Sequence, residues 1–354
     1  MPQIRFRSRV LGNSSCIALV TYPHEDFNAD GPLLPAARGP ISEQLLEAIV
    51  ASPRDIAPLP PADAWVLGDD DAMLALYVLY ELHYRGYEGI DQRWEWEPSL
   101  LRERARIESA FERDLRALVG RTSADPRRIP ELLCDLAGRS GPSLSSWFET
   151  EGTLTAMREF AIHRSLYQRK EADPHTFAIP RIGGRAKAAL VEIQFDEYGS
   201  GEFEAMHSEL FADTMRALDL DPTYGTYIDA VPAVTLATTN LVSMFGLHRR
   251  WRGALVGHLA LFEMCSVVPM GRYARALRRL GVPDAAPFYD AHVIADKRHE
   301  IIACHAMAGE LAREEPHLAA DIMFGAHALH ELEARLTRHL MHAWESGRSS
   351  LRAC

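Results

Sequence analysis

The sequence predicts an all-α fold, and three observations carry that expectation. Apolar residues recur at helical spacing over long stretches. Gly and Pro punctuate the chain at wide intervals. Beyond one short N-terminal hairpin that IRFRSRV and CIALVTY would allow, nothing calls for a sheet. Of the 354 residues, 47% are hydrophobic, enough to bury a sizeable core.

The elements follow in order. ISEQLLEAIVA, residues 41–51, reads as a helix with Ser42 as N-cap. After a Pro-rich loop, Asp69 to Asp71 open a strongly apolar helix, AMLALYVLYELHYRG, which Gly86 ends. WEWEPSLLRERARIESAFERDLRALVG gives a long amphipathic helix with Pro98 in its first turn. These elements suggest an N-terminal helical extension over residues 1–125, which could serve in dimerisation. Residues 126–354 read as a helical bundle, with helices near 127–137, 143–171, 184–218, 223–246, 249–268, 270–280, 286–314 and 316–347. ADPHTFAIPRIGG, DLDP, LGVPDAAP and EEPH are the breakers.

Charge and cysteine usage exclude several function classes. The net charge of −11 removes the electrostatic attraction that phosphate backbones need, so no nucleic-acid partner is expected. The five cysteines are scattered, odd in number and form no CxxC, which fits neither a disulfide framework nor a zinc-thiolate site. A cytoplasmic location is expected. MPQIRFRSRV has no apolar signal region, and the apolar stretch from Ala254 to Met270 is too short and too polar to span a bilayer, so no membrane partner is expected.

Three clusters point to a transition metal. In FYDAHVIADKRHEIIACHAM, His292, Asp296 and His299 lie at offsets of four and seven residues. On a helix those offsets fall at about +40° and −20°, so all three side chains share one stripe. Imidazole and carboxylate mixed in this way suit Fe(II) or Mn(II) better than structural zinc. In ALVEIQFDEYGSGEFEAMHSELF, Glu197, Glu204 and His207 are separated by seven and three residues. They share one stripe if the helix continues through Gly199-Ser200-Gly201, whose glycines would suit close approach of another helix or a bulge at a metal. Glu263 is a carboxylate in an otherwise apolar helix, where an unpaired charge is seldom buried. A fourth helix, TAMREFAIHRSLYQRKEADPHT, offers Glu159, His163, Glu171, Asp173 and His175, with Glu171 preferred and Glu159 the alternative. Glu81, His83 and Glu88 are not spaced to meet one another and read as structural.

Taken jointly, VEIQFDEYGSGEFEAMHSELF, the mid-chain Glu263 and the H-x3-D-x2-H helix resemble the haem-oxygenase-like diiron oxidase and oxygenase superfamily, whose members are often labelled iron-containing redox enzymes. The separations agree, 56 residues from His207 to Glu263 and 29 from Glu263 to His292. The resemblance covers about residues 140–347. It implies a haem-oxygenase-like helical bundle and eight metal ligands: Glu171, Glu197, Glu204, His207, Glu263, His292, Asp296 and His299. In that family's pattern Glu197 is shared by both irons or bound to one. His207, Glu263 and His292 complete the first iron. Asp296, His299 and an earlier Glu (Glu171 or Glu159) hold the second. Glu204 matches a position that carries an additional carboxylate in some relatives. The sites of such enzymes assemble on addition of Fe(II), because the His/Asp helix can shift or partly unwind. The long N-terminal extension is similar to that of natural-product N-oxygenases, and no C-terminal cupin domain is expected.

The resemblance therefore implies two Fe(II) per chain, O2 as co-substrate, an external electron donor, and a homodimer. The implied reaction is N-oxygenation of a small amine or amino acid in a biosynthetic pathway. Oxidative C–C cleavage or decarboxylation at the same site is the alternative, and a non-catalytic helical binding protein is another. Phe195, Met206, Phe211, Met264 and Phe288 are expected to shield the ligands from water.

Overall fold

A computed structural model describes residues 31–62, 65–139, 141 and 143–352. Within them the chain is helical and contains no strand. The N-terminal hairpin expectation lies outside the described residues.

Helix α1, Pro40–Ile49, packs on α2, Asp70–Glu81. The Asp69 carboxylate caps α2 by accepting from the backbone N–H groups of Asp71 and Ala72. Every residue of α2 from Ala72 to Glu81 is buried. Helix α3, Pro98–Val119, is capped by Glu97, starts with Pro98 and stops at Gly120, whose φ of 78° suits glycine. Helices α4, Ile129–Ala137, α5, Leu144–Thr150, and α6, Leu154–Gln168, follow. The single helix expected over 143–171 is thus two. Thr153 caps a fresh start by accepting from Ala156 N–H, and α6 unwinds at Arg169. A short helix α7, Asp173–Thr176, comes next.

The stretch expected to run unbroken over 184–218 is also broken. Helix α8, Gly184–Glu197, ends just before Gly199, Ser200 and Gly201, which have φ values of 64°, 54° and 90°. A Cβ on Gly199 would collide with the backbone of Ala205 and Met206, so the connector folds back onto its own glycine. Helix α9, His207–Ala217, then starts in a new direction.

Helices α10, Ala233–Leu247, α11, Arg252–Met264, α12, Val267–Arg279, and α13, Pro287–Ile301, complete the bundle with α14, Glu310–Glu314, and α15, Ala319–Glu345. Between α13 and α14 the backbone widens into π-helix over Ile302–Gly309. Such bulges recur where a helix carries function. Helix α15 lies close against α11, because Gly253 and Gly257 let α11 approach Asp321 and Ile322, and Gly325 lets α15 approach Ala254. No single helix among the described residues is long and apolar enough to cross a membrane.

Two apolar clusters organise this arrangement. The larger joins α1 to α4 with α10, α11 and α15, so the N-terminal helices share the core of the bundle. The smaller gathers Phe148, Phe160, Phe211, Tyr273, Phe288 and Leu336. Helix α8 contributes Leu190 and Ile193 to the first, and α9 contributes Phe211 and Met215 to the second. The broken connector therefore passes from one cluster to the other, and the polar site lies along that passage.

Candidate metal centre

Two groups of buried side chains converge. Glu171, Glu197, His207 and His292 form one, and Glu197, Glu263, Asp296 and His299 form the other. Within each group, one ligand-type atom per residue lies within 4.8 Å of the rest. Glu197 belongs to both.

Five segments supply these groups. Glu171 sits in the turn after α6, Glu197 at the last turn of α8, and His207 at the first residue of α9. Glu263 is in the last turn of α11, and α13 carries His292, Asp296 and His299 on one buried stripe. The stripe arises as the offsets of four and seven require.

The imidazoles are held by bonds that leave one nitrogen facing the carboxylates. His292 Nδ1 donates to the Phe288 carbonyl oxygen at 2.8 Å, and Nε2 faces Glu171 Oε1 at 3.7 Å. His299 Nε2 meets Asp196 Oδ2 at 3.0 Å. Its Nδ1 lies 3.4 to 3.6 Å from Glu263, Asp296 and Glu197. A carboxylate or carbonyl behind each of these two histidines is the arrangement that fixes tautomer and ring orientation in metal ligands. His207 Nδ1 lies 2.6 Å from Glu197 Oε2, yet the two are not aligned as a hydrogen bond.

Burying four carboxylates together is costly unless something compensates. Desolvation raises Glu171, and it raises Glu197 to about 7 and Glu263 to about 8. Burial alone would pull His292 and His299 down, but the surrounding carboxylates outweigh it, raising them to about 10 and about 11. Burial lowers His207 to about 4, and neighbouring His292 adds to the effect. For Asp296, contacts with His299 and His292 overcome desolvation and lower it.

The donor set fits a pair of divalent cations. Glu171 Oε2, Glu197 Oε2, His207 Nδ1, both Asp296 carboxylate oxygens and His299 Nδ1 are buried without a hydrogen-bond partner. Buried polar atoms are rarely left so. Four carboxylates with three neutral imidazoles carry a charge of −4, which two divalent ions would balance. Oxygen and imidazole donors without thiolate suit iron or manganese.

Seven of the eight residues expected as ligands come together. The groups bring together Glu171, Glu197, His207, Glu263, His292, Asp296 and His299. The grouping differs from the family pattern: Glu171 lies with His207 and His292, and Glu263 with Asp296 and His299. Glu204 is exposed on the turn Phe203–Ala205, outside both groups, because the glycine break ends the stripe it would share with Glu197. Glu159 is engaged elsewhere, accepting from Trp344 Nε1 at 2.7 Å and from Ser350. Of its neighbours, His163 meets Thr235 and Ser350, while Asp173 accepts from Tyr198. Glu81 pairs with Lys170 at 2.8 Å, and His83 meets Glu95 at 3.2 Å.

Among the residues expected to exclude water, Phe211 and Phe288 are buried, and the Phe288 ring lies 4.3 Å from that of His292. Met206 and Met264 are half-buried. Phe195 is 56% exposed, since two residues from Glu197 is about 200° around the helix.

A cavity of about 10 Å³, room for roughly one water, adjoins the centre. Tyr167, Ala172, His175, Gln194, Phe262 and Ser266 line it together with ligand-type residues of both groups. The Tyr167 hydroxyl is 3.5 Å from His175 Nδ1, and His175 Nε2 is 3.1 Å from His258 Nδ1. Sequence reasoning did not find Asp196, Tyr167 or Gln194. Gln194 had one signal available, lying three residues before Glu197 and hence on nearly the same helical face.

Comparison with known proteins agrees with this geometry. A family model described as iron-containing redox enzyme matches residues 158–334, a span that contains every member of both groups. No curated protein matches the chain.

Proposed function

Because this chain belongs to the iron-containing redox enzyme family, we propose that it is a non-haem diiron oxygenase that uses O2 to oxygenate the nitrogen of a small amine or amino acid. The observation that carries the reading is Glu197, shared by two groups of ligand-type side chains. Glu171, His207 and His292 would hold one iron, Glu263, Asp296 and His299 the other, with Glu197 between them. When bound, the iron pair supplies Lewis acidity and the electrons for O2 reduction, which no side chain here can provide.

The chain's own residues do the rest. Phe211 and Phe288 keep bulk water from the His207 and His292 side. Asp196 and the Phe288 carbonyl oxygen hold two of the imidazoles in register. The residues lining the cavity include carboxylates, an amide and hydroxyls, but neither Lys nor Arg. Outside the ligand groups the wall offers the Gln194 amide and the Tyr167 and Ser266 hydroxyls as hydrogen-bond acceptors to a substrate N–H, which favours an amine head group.

The test is a panel of small amines and amino acids incubated with ferrous-loaded protein, a reductant and O2, and read by mass spectrometry. Gain of oxygen on nitrogen is expected. Loss of CO2 or of a carbon fragment would replace N-oxygenation with oxidative cleavage. Absence of O2 uptake with every compound would favour a non-catalytic bundle. Separately, Asp196→Ala is expected to weaken one of two iron-binding steps about 10–100-fold and leave the other unchanged. Anaerobic ferrous titration reads both steps, and equal weakening of the two would contradict the assignment of His299 to a single iron.

A further inference from the structure

We propose that Gln194 is the residue that selects the substrate's head group, its side-chain oxygen accepting an N–H from the nitrogen to be oxidised. The inference deepens the diiron reading above and rests on it.

Gln194 lies on α8, one turn before Glu197, is 3% exposed, and lines the cavity. Its amide nitrogen is fully committed: Nε2 donates to the Ala172 carbonyl oxygen at 2.9 Å and to Thr176 Oγ1 at 2.8 Å. Those partners decide which way the amide points. A flipped amide would set its oxygen against the Ala172 carbonyl, which has no proton to give. Oε1 is therefore the free end, and it is buried without any partner. An amide oxygen left so forgoes a hydrogen bond, at a cost in free energy. A ligand that brings a donor recovers that cost, and one that brings only acceptors does not.

The turn that holds the amide is itself unusual. Ala172 has φ 74°, a left-handed conformation that alanine rarely adopts, yet it is 2% exposed and lines the same cavity. Its carbonyl oxygen accepts from Gln194, from the backbone N–H groups of His175 and Thr176, and from Thr176 Oγ1. Strain held by several bonds at a cavity wall is the mark of a fixed surface rather than an adaptable one. The half-exposed Tyr167 and Phe262 mark the side toward which the remainder of a substrate would extend.

The test uses anaerobic ferrous-loaded protein, with methylamine hydrochloride and sodium acetate as probes of similar size and opposite hydrogen-bonding sense. Binding is measured by calorimetry. In Gln194→Met, methylamine binding is expected to weaken about tenfold, while acetate binding and iron content stay as in the parent. If Gln194→Met does not fold, Gln194→Leu decides: it too removes the acceptor and should weaken methylamine binding about tenfold. Unchanged methylamine affinity in Gln194→Met with two irons bound would overturn the role of Gln194 and leave the diiron reading intact. Unchanged methylamine affinity in Gln194→Leu with two irons bound would overturn it likewise. Fewer than one iron per chain in the parent would overturn both.

Discussion

Glu197→Ala should bind fewer than one iron per chain after anaerobic ferrous loading, and its O2 uptake should fall by more than about 100-fold. That exceeds the usual 10–100-fold cost of losing a residue that only supports a ligand. Glu197 is the one side chain common to both groups, so its removal takes a donor from each. The loss should not come from unfolding. The metal-free site buries Glu171, Glu197, Glu263 and Asp296 together, and deleting one carboxylate relieves like-charge repulsion. The metal-free variant should therefore melt no lower than the parent. Glu204→Ala is the matched control: exposed and outside both groups, it should keep iron content and keep activity within about twofold. Two irons in Glu197→Ala, or lost iron in Glu204→Ala, would contradict the grouping.

Gly257→Ala should lower stability by about 3 kcal/mol, the upper end for overpacking. A Cβ at Gly257 would fall within the van der Waals envelope of the Ile322 carbonyl oxygen, and one at Gly325 would do the same to that of Ala254. Both obstacles are backbone, so no rotamer change relieves them and α11 must move away from α15. Glu263 lies on α11 six residues after Gly257, so the displacement should reach the centre as well. Thermal melting and ferrous titration check the two effects together. An unchanged melting temperature would show that the helices are not packed as closely as described.

The legible part of this protein was what helical period alone determines. His292, Asp296 and His299 share a stripe because their helix is continuous, and Glu263 stood out as a carboxylate among apolar residues. Glu197, Glu204 and His207 were ambiguous for a physical reason. Their common stripe required an unbroken helix, whereas Gly199, Ser200 and Gly201 all take positive φ. Glycines signalled a close approach, which exists, but not its direction, which depends on Ala205 and Met206 packing back on Gly199. What separates Glu171 from Glu159 in the fold is tertiary: Trp344 and Ser350, nearly two hundred residues away, occupy Glu159. Asp196 and Gln194 act through partners on other segments, which no periodicity reports.

The ligand grouping is tested most directly by the crystal structure of protein soaked anaerobically with ferrous iron, with anomalous scattering used to locate the metal. Two iron peaks are expected, one bound by Glu171, His207 and His292, the other by Glu263, Asp296 and His299, with Glu197 reaching both. A single peak, or iron bound through Glu204 or Glu159 instead, would contradict it.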